Sequence, residues 1–152
     1  MADLEPVIRI ARSRVDEQRR VLAALLRQAD ALAAQRRRIE ADIAAEAALL
    51  IAEEPGTDVD IRPEPGVVAH FGPFVARAEA ERLRVRADLD TLESEIATAR
   101  EALADAYRAR RVLELAADTR RRKVAAEAAR REQDALDESG IARHRRRSGR
   151  HG

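Results

Sequence analysis

Residues 53–74 read EEPGTDVDIRPEPGVVAHFGPF, and the reading of this stretch decides the fold. Four of the five prolines and both phenylalanines of the chain fall inside it. The sequence on either side is dominated by alanine, arginine, glutamate and leucine. A single break between two long, uniform segments is what a helical chain needs in order to fold back on itself once.

Working outward, both flanks carry helical periodicity. Before the break, apolar residues recur at steps of three and four: Leu4, Ile8, Ala11, Val15, Leu22, Leu25, Ala29, Leu32, Ile39, Ile43 and Leu50, with Gln18, Arg36 and Glu46 as polar members. After it the rhythm resumes at Val75, Ala78, Val85, Leu89, Leu92, Ile96, Ala99, Leu103, Ala106, Leu113, Ala117 and Val124, interrupted by Arg82, Arg110 and Arg120. Seven-residue spacing sustained this long is the signature of a coiled-coil seam. Asp3 can cap the first helix, and Pro6 falls in its first turn, where a missing N–H costs little. Pro55-Gly56 ends that helix, Gly72-Pro73 begins the next, and Ser139-Gly140 ends it. The expected fold is therefore all-α: one long antiparallel two-helix coiled-coil hairpin domain over residues 1–152. It comprises helix 1 at about 4–53, a Pro/Gly-rich tip at about 54–72, helix 2 at about 73–139 and a flexible basic tail at 140–152.

Composition agrees. Charged residues make up 38% of the chain and aromatic residues 2%, which suits a buried seam and not a globular core. There is no cysteine, so disulfides and thiolate metal sites are excluded. The opening MADLEPVIRI has no signal-peptide pattern, and no apolar run approaches the ~20 residues of a bilayer span, so a soluble, cytoplasmic chain is expected. Net charge is +1, but residues 119–152 hold eleven Arg/Lys against five Asp/Glu, a local excess of six positive charges.

The pairing of the two seams can be worked out on paper. If facing residues have numbers summing to about 128, Ile43 meets Val85, Ile39 meets Leu89 and Leu25 meets Leu103. The polar exceptions then meet one another, Glu46 with Arg82 and Gln18 with Arg110, and the chain turns at Pro63-Glu64-Pro65. A polar group left unpaired in the seam costs about 1–3 kcal/mol, which favours this register over one slid by a heptad.

Chemistry is sparse. His70, His144 and His151 are the only histidines, and no pair has the i, i+4 spacing of a zinc site. No phosphate-binding glycine loop and no Ser beside a His is present. Carboxylates neighbour arginines throughout, as on a solvated, ion-paired surface. No enzyme activity, catalytic residue, metal or cofactor is expected. Two features can bind partners. Phe71 and Phe74 in the tip either close the hairpin as a small core or form an exposed apolar site. The arginines of 143–150 either grip phosphates or keep a tail solvated, and no aromatic residue stands beside them for base stacking.

Three segments carry a family resemblance: the opening LEPVIRIARSRVDEQRRVLAALL, the segment FGPFVARAEAERLR, and the ending RREQDALDESGIARHRR, in which Glu132-Gln133 is followed by Leu136-Asp137-Glu138. Together with the length and layout, they make the chain resemble the flagellar export protein FliJ family of the bacterial type III secretion apparatus. Members often carry Trp in the second helix, where Tyr107 stands here. The resemblance implies a non-enzymatic, stalk-like adaptor of flagellum biogenesis and motility, cytoplasmic or peripheral at the cytoplasmic face of the inner membrane. Its implied partners are the hexameric export ATPase, the cytoplasmic domain of the export gate, and export chaperones. Carried onto this chain, Arg9, Arg12, Arg14, Arg130, Arg131, Glu132, Gln133, Leu136, Asp137 and Glu138 would face the ATPase. Ile39, Ile43, Phe71 and Phe74 would lie toward the gate, by position alone. No small-molecule substrate is implied. The competing readings are a coiled coil that binds nucleic acid or an anionic surface through the Arg-rich tail, and a self-associating scaffold. The acidic neighbours of both seams argue against nucleic acid.

Overall fold

The computed structural model describes the backbone of residues 3–52 and 65–150 and the side chains of 3–51 and 69–150. Two α-helices pack against each other, α1 (Glu5–Ala52) and α2 (Pro65–Ser148), and the described residues contain no strand. The all-α reading holds. The expected helix stop at Pro55-Gly56, the tip from 54 to 64 and the turn at residues 63–64 lie outside the described residues.

The ends of α1 follow from its sequence. Asp3 Oδ1 accepts the Glu5 N–H at 3.1 Å, satisfying one of the donors that a helix start leaves open. Both ends of α2 correct the expectation. It begins at Pro65 and not at residue 73, so Pro65 holds the first-turn place and Gly72-Pro73 lies within the helix. Interior proline costs about 3 kcal/mol, which the surrounding helix has to offset. At the far end α2 continues through Ser139 and Gly140 to Ser148, so residues 140–148 are helix and not a flexible tail. The Ser139 hydroxyl donates to the Leu136 carbonyl at 2.9 Å, and Gly140 keeps an ordinary helical backbone with no positive φ. Glycine inside a helix costs only about 1 kcal/mol. Arg145, Arg146 and Arg147 in the last turn suit the negative end of the helix dipole.

The helix pair divides into two compact units: unit 1 is Met1–Val15 with Asp105–Gly152, and unit 2 is Asp16–Ala104. In unit 2, Ile39, Ala78 and Val85 form a buried cluster, with Leu32, Ile43 and Leu89 packed on it. Ala78 and Val85 are about 10.5 Å apart along α2 and cannot touch each other, so Ile39 touches both and sits level with Arg82. Leu25 shares a groove with Ser94, Glu95, Thr98 and Ala99. Facing numbers therefore sum to about 121 and not to about 128. Unit 1 agrees by itself. Leu4 shares a groove with Ala117, Arg120 and Val124, but Ala117 is buried whereas Val124 is 52% exposed.

The one-heptad slide has a packing cause. A sum of 128 sets Ala11 against Ala117 and Ala29 against Ala99, which would leave gaps between small side chains. A sum of 121 sets Leu4 on Ala117, Val15 on Ala106, Leu22 on Ala99 and Ile43 on Ala78, a large side chain against each of these alanines. The polar pairs that supported 128 do not need each other. Arg82 bonds Glu79 on its own helix at 2.8 Å, Arg110 bonds Glu114 at 3.3 Å, and Arg36 reaches Glu40 at 3.7 Å. No described side-chain polar atom is both buried and unbonded. A seam only two helices thick lets long side chains carry their charges out to water, so the penalty assumed for unpaired polar layers is not incurred.

Candidate docking surfaces

The residues expected at the ATPase end all lie in unit 1 and are all exposed. Arg9, Arg12 and Arg14 project from the stretch of α1 that packs on α2. Arg12 is engaged there: its Nε and Nη2 donate to Glu114 Oε1 at 3.4 and 3.3 Å. Arg110 Nε meets the same oxygen at 3.3 Å, and its guanidinium lies 5.7 Å from the centre of the Tyr107 ring. Glu114 thus gathers two arginines, with Tyr107 alongside.

The second half of the expected surface lies elsewhere. Every described residue of α2 from Arg121 onward is exposed. Arg130, Arg131, Glu132, Gln133, Leu136, Asp137 and Glu138 sit on this bare helix, about 27 Å along α2 from the level of Arg9. The Gln133 amide donates to Asp137 Oδ1 at 3.1 Å, and Arg131 pairs with Glu127 at 4.0 Å. Leu136 stands 60% exposed among them. The fold therefore does not bring the two groups of arginines together. Between them, Leu4, Ala117, Val124, Ala125 and Ala128 line an open, mostly apolar groove of about 530 Å³ edged by Arg120 and Arg121.

The four gate-side residues divide. Ile39 is 6% exposed and packs on Ala78 and Val85, so it is a core residue whose surface is already covered, and Ile43 packs against that cluster. Only Phe71 and Phe74 of the four lie outside it. Both are half-buried, level with Leu50 and Ala47 in the observed register. Beside them Leu49 and Ile51 are exposed, as is His70.

Sequence reading missed the exposed apolar residues of unit 1, Val7, Ile10, Val112 and Leu115. Their signal was available: apolar residues placed off the seam, three apart on each helix. Among the described residues no group of His, Cys, Asp or Glu could hold a metal ion. Among them, too, no helix is long and apolar enough to cross a membrane. No family model, curated protein or solved structure matches the chain.

Proposed function

We propose that the chain is a non-enzymatic, stalk-like adaptor of a bacterial flagellar type III export apparatus. In this reading the bare part of α2 docks on the hexameric export ATPase, and the end bearing Phe71 and Phe74 faces the cytoplasmic domain of the export gate. Export chaperones are further partners, and the place of work is the cytoplasm beside the inner membrane. The reading stands on the resemblance of three segments. The observation that carries it is the exposure of α2 from Arg121 to Ser148. A helix with no packed face has little tertiary support, and such a length of it carrying the Glu132-Gln133 and Leu136-Asp137-Glu138 segment suits a docking element. The test is titration of the chain into purified export ATPase. Stimulated hydrolysis that disappears when residues 124–152 are removed supports the reading, and unchanged hydrolysis sinks it.

One observation favours a second reading. Arg143, Arg146 and Arg147 recur at i, i+3 and i+4 on one helical face, with no carboxylate partner among the described residues. Guanidinium groups so placed suit phosphates. Binding to duplex DNA that falls steeply with salt would support that reading.

A further inference from the structure

From Gly140 to Ser148 the charged and titratable side chains of α2 are Arg143, His144, Arg145, Arg146 and Arg147, with no carboxylate among them. A carboxylate three or four positions away pairs with Arg36, Arg82, Arg110, Arg121 and Arg131 elsewhere. None of the last four arginines has one at that distance. Arg143 instead has Arg146 and Arg147 there, and like charges so spaced destabilise a helix.

These charges border a hollow. Gly140, Arg143, His144 and Arg147 stand at i, i+3, i+4 and i+7, and so follow one another up one side of α2. Together with Arg146 they line an open cavity of about 430 Å³. Gly140 forms its floor: it has no side chain, its backbone is helical, and a Cβ there would meet nothing within 4 Å. The nearest carboxylates do not line the cavity. Asp137 lies about one turn before Gly140 and accepts the Gln133 amide at 3.1 Å. Glu138 leaves the helix about 160° away from Gly140.

We propose that this hollow binds a compact phosphate dianion, a phosphomonoester or a diphosphate group. Planar guanidinium groups pair with phosphate oxygens two bonds at a time. A phosphomonoester offers about −1.5 to −2 charge and three strong acceptor oxygens. Arg143, Arg146 and Arg147 lie within about 6 Å of helix rise, so all three can close on one such group. The bound dianion would also relieve the repulsion among them. The preceding segment limits the size of the ligand. Glu132, Asp134, Asp137 and Glu138 occupy about the two turns before Gly140, so a long polyanion laid along α2 would run onto carboxylates. Duplex DNA, by contrast, is held through many phosphates at once. The site shares three arginines with the nucleic-acid reading but takes a different ligand, and it depends on neither that reading nor the export one.

The probe is inorganic pyrophosphate, titrated calorimetrically into the full chain at about 0.15 M salt, where charge attraction is screened beyond about 8 Å. Saturation at one pyrophosphate per chain is expected. Arg143→Gln with Arg147→Gln should weaken binding at least tenfold. Gly140→Leu should do the same by filling the floor, although it changes no charge, and its helix signal should be no lower than the parent's. Arg37→Gln with Arg38→Gln removes two exposed charges from α1 and should bind like the parent chain. Displacement of pyrophosphate by vesicles containing phosphatidic acid would assign the group to a lipid headgroup, and lack of displacement to a soluble molecule; either result supports the site. Full-strength binding by Gly140→Leu, equal weakening by the Arg37 and Arg38 pair, or no saturable binding would overturn the proposal. So would tighter binding of duplex DNA than of pyrophosphate, since the arginines would then serve the nucleic-acid reading.

Discussion

Arg12 and Glu114, 102 positions apart in the chain, meet at 3.3 Å across the seam of unit 1. The Arg12 side chain is more than half exposed, so water screens much of the attraction. Arg12→Ala is expected to cost no more than about 1 kcal/mol in urea unfolding. A loss of several kcal/mol would mean that the pair holds the helices together. Arg12 can therefore be given up to a partner at little cost to the fold.

The register is open to a direct crosslinking test. Cysteines replacing Leu25 and Ile96 should form an intrachain disulfide under mild oxidation, because these positions face each other when numbers sum to about 121. The pair Leu25 and Leu103 is offset by a heptad, about 10.5 Å, and should stay reduced. The opposite pattern would restore the sum of about 128.

Ile39 and the tip phenylalanines should behave differently. Ile39→Ala removes a core side chain between Ala78 and Val85 and is expected to cost about 2–5 kcal/mol, read as a clear drop in melting temperature. Phe71→Ala with Phe74→Ala should lower the melting point less, since neither residue is fully buried, and under the proposed export reading should abolish binding to the export gate domain. Normal gate binding together with a drop as large as that of Ile39→Ala would make the pair a structural clasp.

Ending the chain after Lys123 removes no buried residue among the described ones. The melting temperature should stay within a few degrees of the parent, and the molar helix signal at 222 nm should fall in proportion to the residues lost. A collapse of stability would reveal that the bare segment supports the seam.

Gly140 gives the sharpest check on the length of α2. Its backbone is helical and a Cβ would meet nothing within 4 Å. Gly140→Ala should therefore raise helicity, by about 0.5–1 kcal/mol of local stability. A glycine ending the helix in the left-handed conformation would give the reverse, lower helicity on substitution.

The presence of two helices, their seam positions and the Asp3 cap were legible in the sequence, because heptad spacing and capping chemistry are local properties. The ends of α2 were not. Pro73 and Gly140 are usual stop signals, but each costs a few kcal/mol at most, less than a long helix can offset. On the candidate site, Ile39 was legible as a seam residue, which its gate-side placement overlooked, and the exposed Val7, Ile10, Val112 and Leu115 were not foreseen.

What the sequence determined by itself was which residues line the seam of each helix, the exposed Val124 excepted. Which residue of α1 meets which residue of α2 was decided only in the tertiary structure. Heptad periodicity leaves every seven-residue slide nearly equivalent in polarity, so the choice falls to volume. Alanines at 78, 99, 106 and 117 need large partners, and only the observed pairing supplies Ile43, Leu22, Val15 and Leu4 to all of them. That slide also determines which apolar residues of α1 and α2 stand level on an exposed face, because the height of one helix against the other is a property of the pair and of neither helix alone.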